Sequence, residues 1–390
     1  MHSKKELKKK IVVTGGGSGG HLSAAEAIIK EISNRYDLTK KNFLYIGGDL
    51  GMEGERIGSS IEQKRFRNAP FNCKYIRAGK LQRSFSLNTV KLLFRTFLGF
   101  YDSYKILKKF TPDIVISTGG FVSVPVCVVA KLLKADIYLH EQTSTVGLSN
   151  RIVGSFSEKI FLAYESSAQF FKKKKTIHVG NLVREDVLET KGSGKVVQAL
   201  KKMIVNQEEY PIIYISGGSL GSHILNDTVR SALHNLLNKY QIIIQTGDNK
   251  VYQDYDKLVK EKITLDDHLK DRFFPVKYVE SKEIGFLYDN IDLFVGRAGA
   301  NTVYEVGVLK LPSIFIPIPW VTHNEQYENA KVLKDLGLSE ILPEGELTPE
   351  NLVVKIDRYL SKERIVDTKK LKDAFPLDAA KKILQQIDLY

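Results

Sequence analysis

Between Gly296 and Asn301 the chain runs through small residues, among them Gly296, Gly299 and Ala300, which let backbone amides approach a ligand closely. A helical pattern opens at Thr302, with Val303, Val306 and Leu309 on one side. A helix start behind such a loop points its unbonded N–H groups outward, which suits a phosphate. One turn on, Glu305 is too negative for a phosphate but fits a ribose diol as hydrogen-bond acceptor. Gln326 and Asn329 offer neutral amides for sugar hydroxyls.

These residues need a frame. Residues 292–295 and 313–319 read as apolar strands, the second stopping at two prolines that cannot continue a ladder, and a helix resumes over 324–333. In an open parallel sheet, both loops then lie at the carboxyl ends of neighbouring strands, where such folds bind ligands.

The same grammar recurs upstream. Strand 10–14 feeds Gly15-Gly16-Gly17-Ser18-Gly19-Gly20-His21 and a helix over 22–32. These letters satisfy GxGxxG, but the second strand, 43–47, reaches its acidic residue only at Asp49, too late for a dinucleotide site. Strand 113–117 runs into Thr118-Gly119-Gly120-Phe121. Two such loops in one half could grip a diphosphate through amides at Gly16, Gly17, Gly119 and Gly120. Strand 136–139 ends in His140-Glu141-Gln142-Thr143, a site or a buried hydrogen-bond hub. After a crossing at 178–184, where Arg184 could reach a phosphate, the pattern restarts. Strand 211–216 leads to Gly217-Gly218-Ser219-Leu220-Gly221-Ser222 and a helix over 224–237, with further strands at 241–245 and 276–279. Asp254-Tyr255-Asp256 looks like a metal-binding DxD but sits in a charged amphipathic stretch and reads as a solvated helix. No cluster has zinc spacing, and no nucleophilic triad is apparent.

The 390 residues suffice for two domains, and 43% hydrophobic with 26% charged residues is globular composition. Two cysteines, Cys73 and Cys127, point to a reducing setting. No apolar run is long enough for a signal peptide or a membrane span. The net charge of +13 is uneven: residues 1–180 hold 30 basic against 14 acidic side chains, and residues 181–390 hold 28 against 31. The first half therefore expects an anionic partner, whether nucleic acid, membrane surface or diphosphate. Leu87, Val90, Leu93, Phe94, Phe97, Leu98 and Tyr101 form an apolar face at helical spacing, flanked by Lys80, Arg83, Lys91 and Arg95. Basic charge beside off-face Leu92 and Phe100 suits an anionic lipid surface.

Taken in order, GGGSGGH, STGGFVSVP, HEQTSTVGLSNR, VGNLVRED, GGSLGSHILN, GRAGANTVYE and PIPWVTHNEQYENA resemble the signatures of the MurG family of bacterial N-acetylglucosaminyl transferases. The resemblance implies an α/β GT-B fold, two Rossmann-like doubly wound domains facing a deep cleft. Expected boundaries are 1–178 for acceptor and membrane, 179–370 for UDP-GlcNAc, and a C-terminal helix in 371–390 packing back on the first domain. It implies an inverting transfer of GlcNAc from UDP-GlcNAc to the C4 hydroxyl of the muramoyl sugar of lipid I, giving lipid II. The expected location is the cytoplasmic face of the bacterial inner membrane, held peripherally through Leu92, Phe94, Phe97 and their basic neighbours. Other cell-wall synthesis proteins are expected partners, and nucleic acid is not.

Carried over by position, the donor contacts are Ser18, Gly19, Gly20, Thr143, Arg184, Ser219, Val279 backbone at the uracil, Gln326, and the run Ala300, Asn301, Thr302, Val303, Tyr304 and Glu305. The chain departs from the family at Thr143 (usually Asn), Leu220 (Gln), Phe121 (Tyr), Asn301 and Glu325 (often Gln). His21 is the expected base, since histidine titrates near neutrality, with Glu141 the runner-up. Neither a metal nor a cofactor is expected. Alternatives are another GT-B transferase acting on a different membrane lipid, or a UDP-GlcNAc epimerase, which would need more carboxylates.

Overall fold

The structure, a computed structural model, describes residues 4–50, 60–78, 87–321, 324–363 and 365–390, with helix side chains between 87 and 110 described from Arg95 onward. The chain divides into two compact units, Met1–Arg184 with Pro376–Tyr390, and Glu185–Phe375. The first unit runs past His178 because Val179 and Leu182 pack in its core, and Phe375 stays with the second because it packs on Tyr304.

The first unit holds a seven-stranded parallel sheet. Its spatial order is Asn72–Ile76, Phe43–Gly48, Ile11–Thr14, Ile114–Ser117, Asp136–Glu141, Lys159–Leu162 and Thr176–His178. Counted along the chain this is 3-2-1-4-5-6-7, so the order reverses between Ile11–Thr14 and Ile114–Ser117. Both of those strands are short β-branched runs buried on both faces, as a sheet covered by helices requires. Alternation decides the partner. Ile11, Val13, Ile114 and Ile116 join a core with helix Gly19–Arg35 and the last helix, Ala379–Gln386. Val12 and Val115 face the opposite core with helices Leu87–Phe110 and Ser123–Leu132.

The long helix Leu87–Phe110 sits rotated from the expected face. Gly99, Ser103 and Leu107 turn inward, where a Cβ on Gly99 would lie 2.4 Å from the Arg77 carbonyl. Phe97 and Tyr101 are instead 72% and 60% exposed, while Phe100 packs on the core. A small residue, not an aromatic, is what the close approach to Arg77 demands.

The second unit repeats the plan in six parallel strands: Phe273–Val276, Gln241–Gln245, Ile212–Ser216, Leu293–Gly296, Ser313–Phe315 and Ser339–Ile341. The order 3-2-1-4-5-6 reverses between Ile212–Ser216 and Leu293–Gly296. Two strands differ from expectation. The edge strand ends at Val276 instead of 279, because the Val279 amide leaves the ladder for Gln245 Oε1 at 2.9 Å. The strand from Ser313 stops at Phe315, short of the prolines, one residue before Ile316 donates to the Gly296 carbonyl at 2.7 Å.

Candidate functional site

In each unit the ordered loops gather at the carboxyl ends of the strands where the order reverses, the position at which open α/β sheets take ligands.

In the first unit, the loop after Ile11–Thr14 leads into helix Gly19–Arg35, and the loop after Ile114–Ser117 lies beside it. They touch so closely that a Cβ on Gly120 would stand 2.1 Å from the Gly16 carbonyl and one on Gly15 1.9 Å from Thr118 Oγ1. His21 Nδ1 lies 2.8 Å from the Thr118 carbonyl, and Thr118 Oγ1 donates back to the His21 carbonyl at 2.8 Å. Gln142 Nε2 donates to the same Thr118 carbonyl at 2.7 Å. A carbonyl only accepts, so His21 carries its proton on Nδ1 and its lone pair on Nε2. The 3.2 Å approach of Gln142 Nε2 to His21 Nδ1 follows from both donors sharing that oxygen. His21 is half-buried, with its Cε1 and Cδ2 edges under Gly119 and Gly120.

Three of the four amides expected to cradle a diphosphate, those of Gly16, Gly17 and Gly119, are already engaged within the protein. Gly16 gives its amide to the Gly119 carbonyl, Gly17 to the buried Glu62 carboxylate at 2.7 Å, and Gly119 to Ser117 Oγ at 3.2 Å. The Gly16 amide braces loop against loop, the Gly17 amide ties the first loop to Glu62, and the Gly119 amide folds back on its own strand end. Phe121 covers Gly17, where a Cβ would meet its ring. Helix residues Gly19 and Gly20, behind the half-buried Ser18, keep the helix-start geometry.

The HEQ cluster is a hydrogen-bond hub. His140, Glu141 and Gln142 are all buried. Glu141 accepts from Asn150 Nδ2 at 2.8 Å, Thr143 N at 2.9 Å and Thr143 Oγ1 at 2.7 Å, while burial raises its pKa. Both its oxygens face protein donors, which suits a brace better than a base. Thr143, expected at the donor, points its hydroxyl inward to Glu141. His140 Nε2 donates to the Gly180 carbonyl at 3.0 Å, and burial pushes its pKa down to about 4. Arg184 closes the first unit, half-buried.

In the second unit, helix Ala300–Leu309 starts behind Gly299, and its first intrahelical bond runs from Val303 N to the Gly299 carbonyl at 3.0 Å. The amides of Ala300, Asn301 and Thr302 precede that bond. Val303 and Tyr304 are fully buried, Tyr304 against Phe375, so their side chains serve the core and not a ligand. Glu305 is 5% exposed, with Tyr288 Oη 3.5 Å from its carboxylate. Gln326 Oε1 accepts from Ala298 N at 3.2 Å and Ile318 N at 3.1 Å, which ties two strand-end loops together and leaves the NH2 of this half-buried side chain as its donor end. Asn329 is buried and reaches the Ala298 carbonyl at 3.4 Å, so it braces the loop instead of meeting a sugar. Ser219 stands exposed at the tip of the loop between Gly218 and Gly221, both at positive φ. Val279 has given its amide to Gln245, which leaves only its carbonyl for a base.

Sequence reasoning missed several residues. Asp254 is buried, accepting from His223 Nδ1 at 2.8 Å and Asn226 Nδ2 at 3.1 Å, so its solvated-helix reading is corrected. Arg297 is 6% exposed despite its charge. A lone cation inside GRAGA at a strand end was the available signal. Among the described residues, no group of three or more His, Cys, Asp or Glu side chains is arranged to hold a metal.

Of the expected membrane patch, Lys80 and Arg83 lie outside the described residues, as do the side chains of Lys91, Leu92 and Phe94. Arg95 is not a surface cation, since it pairs with Asp49 at 2.7 Å and is largely buried. Phe97 is joined by Tyr101 and Tyr104 in an exposed aromatic stripe, with Lys105 and Lys108 beside it. No described helix is long and apolar enough to cross a membrane.

The N-terminal domain of glycosyltransferase family 28 matches residues 11–162, and the C-terminal domain of the same family matches residues 212–387. A protein of Caldanaerobacter subterraneus subsp. tengcongensis is 33% identical over 380 residues, 96% of this chain and 97% of that protein. A Clostridium novyi protein is 31% identical over 386 residues, 98% and 99% of the two chains. Both are named UDP-N-acetylglucosamine–N-acetylmuramyl-(pentapeptide) pyrophosphoryl-undecaprenol N-acetylglucosamine transferase. Among solved structures, Acinetobacter baumannii MurG superposes with a TM-score of 0.67 at 20% identity, covering 98% of this chain and 100% of that one. UDP-GlcNAc 2-epimerase from Methanocaldococcus jannaschii reaches 0.65 at 14% identity with the same coverage. At these identities the two structures establish the GT-B type of fold and nothing finer.

Proposed function

Since the chain belongs to glycosyltransferase family 28, in the branch of its full-length MurG relatives, we propose that it moves N-acetylglucosamine from UDP-GlcNAc to the C4 hydroxyl of the muramoyl sugar of lipid I. The product is lipid II, a peptidoglycan precursor. The second unit takes the nucleotide sugar: the helix start at Ala300 to Thr302 and the Ser219 loop meet the diphosphate, Glu305 the ribose diol, and the Val279 carbonyl the uracil. The NH2 of Gln326 meets the sugar, and Arg184 adds charge to the leaving group.

The observation that carries the mechanism is the fixed ring of His21. With Nδ1 donating to Thr118, the Nε2 lone pair is the basic atom. The C4 hydroxyl oxygen attacks the anomeric carbon as its proton passes to Nε2. The bond to the UDP oxygen breaks with its electron pair, inverting the anomeric centre. Helix-start amides stabilise the charge gathering on the leaving diphosphate.

The enzyme works on a lipid-linked acceptor from the cytoplasmic face of the inner membrane, resting the Phe97, Tyr101 and Tyr104 stripe on anionic lipid. Radiolabelled UDP-GlcNAc offered with a lipid I analogue tests the reading. A β-linked GlcNAc–MurNAc disaccharide is expected. Epimerised UDP-sugar without disaccharide would overturn it.

A further inference from the structure

One buried charge in the second unit belongs to no motif and to none of the donor contacts above. Glu344 opens a 3-10 turn, Glu344–Glu346, just past strand Ser339–Ile341. Its side chain is 7% exposed and pairs with Arg297 Nη2, itself 6% exposed. Arg297 follows strand Leu293–Gly296 directly. Its Nη2 also donates to Ser222 Oγ at 2.6 Å and its Nη1 to the Ile316 carbonyl at 3.0 Å. Ser222 ends the glycine loop after Ile212–Ser216, and Ile316 follows Ser313–Phe315. A single guanidinium therefore stitches the carboxyl ends of four strands that are adjacent in the sheet.

We propose that Glu344 is a positioning residue for nucleotide binding: its carboxylate holds Arg297 so that Ser222 and the helix start at Ala300 keep the spacing a diphosphate requires. The proposal rests on the reading that the second unit binds UDP-GlcNAc. The physical chemistry is direct. A buried guanidinium needs an anionic partner, which Glu344 supplies at Nη2, and its planar fork fixes the directions of the two bonds it makes through Nη1 and Nη2. Ser222 is both the last residue of the loop that carries Ser219 and the cap of helix His223–Leu237. Arg297 stands three residues before Ala300. Moving the guanidinium moves both phosphate-facing segments, while no atom of Glu344 need touch the ligand.

Three chains decide the matter: wild type, Glu344→Gln, and the apolar double replacement Arg297→Met with Glu344→Leu. Each is measured for equilibrium UDP binding, for kcat and KM, and for thermal unfolding. Glu344→Gln should weaken UDP binding and raise KM for UDP-GlcNAc by about tenfold with kcat nearly held, since it loosens a tether and not the base. The double replacement should recover the unfolding temperature, because apolar pairs substitute well for buried ion pairs, yet should bind UDP as weakly as Glu344→Gln. Recovery of both the fold and UDP affinity in the double variant would reduce the pair to charge compensation and overturn the proposal. Unchanged UDP affinity in Glu344→Gln would overturn it as well, while leaving the nucleotide reading intact. A wild-type chain that binds no UDP would sink the reading itself and the proposal with it.

Discussion

His21 Nδ1 and the Thr118 carbonyl lie 2.8 Å apart, and this one bond decides which ring nitrogen can take a proton. The carbonyl belongs to the residue just past strand Ile114–Ser117, at which the sheet order reverses, so sheet topology sets the chemistry of a helix residue. Replacing His21 by Ala or Gln should lower kcat by roughly 10²- to 10⁴-fold, the range of a lost general base. Gln can still donate to Thr118, which preserves the loop, but it has no basic nitrogen. UDP affinity should stay within about twofold, because the nucleotide contacts lie elsewhere. Single-turnover transfer beside calorimetric UDP binding separates the two effects. A Gln variant that turns over near the wild-type rate would move the base to another residue.

Gly120 and Gly19 form a second test, because both sit in glycine loops yet only one is sterically required. Gly120 has φ of 90°, and a Cβ there would meet the Gly16 carbonyl at 2.1 Å. Gly120→Ala should therefore destabilise the chain by about 1–3 kcal/mol through strain and loop displacement. Nothing lies within 4 Å of a Cβ on Gly19, which is helical. Gly19→Ala should stay within about 0.5 kcal/mol of wild type in urea unfolding. Equal midpoints for the two variants would show that the loop contact carries no stability.

The sheet, the reversal points and the helix starts were legible because they follow from local pattern. Ile11–Thr14 and Ile212–Ser216 are apolar, rich in β-branched residues and followed at once by glycines, so period and turn chemistry agree. What could not be read was the direction of individual polar groups. Thr143 and Glu141 lie two residues apart in the sequence, yet whether they face each other or a ligand depends on Asn150, on the helix Leu148–Phe156 that follows. Gly17 looked like a phosphate ligand, and its amide is taken by Glu62, forty-five positions away. Asp254 looked solvated until its contact with His223 closed. Long-range pairing of this kind leaves no mark on periodicity. The rotation of Leu87–Phe110 escaped for a related reason: hydropathy favours burying Phe97, whereas close packing against Arg77 selects Gly99.

The exposed stripe on that helix gives a third test. Phe97, Tyr101 and Tyr104 are 72%, 60% and 45% exposed, and Lys108 lies 5.3 Å from the Tyr104 ring centroid. Phe97→Ser with Tyr101→Ser should reduce partitioning onto anionic vesicles by at least about tenfold, given roughly 1.5–3 kcal/mol per buried aromatic. Lys105→Gln and Lys108→Gln should each remove about 1 kcal/mol at low salt and far less at high salt. Co-sedimentation with vesicles of mixed neutral and anionic lipid measures both. Partitioning that ignores the aromatic pair would place the membrane contact on another face.

His140 makes folding sensitive to acid. Its Nε2 donates to the Gly180 carbonyl from a fully buried ring, and burial lowers its pKa from 6.5 to about 4; the Gly180 carbonyl opposes that shift and the neighbouring His21 adds to it. A histidine depressed in the folded state binds fewer protons there than in the unfolded chain. Its neutral form therefore contributes fully above pH 6.5, and that contribution is lost as pH falls from 6.5 towards 4. A shift of this size corresponds to about 3 kcal/mol at the acid end of the window. His140→Gln keeps a donor for Gly180 without a titrating ring. Urea midpoints taken from pH 7 to pH 4.5 should fall more steeply for wild type than for this variant. Parallel curves would mean that acid sensitivity arises from other groups and that His140 is readily protonated in place.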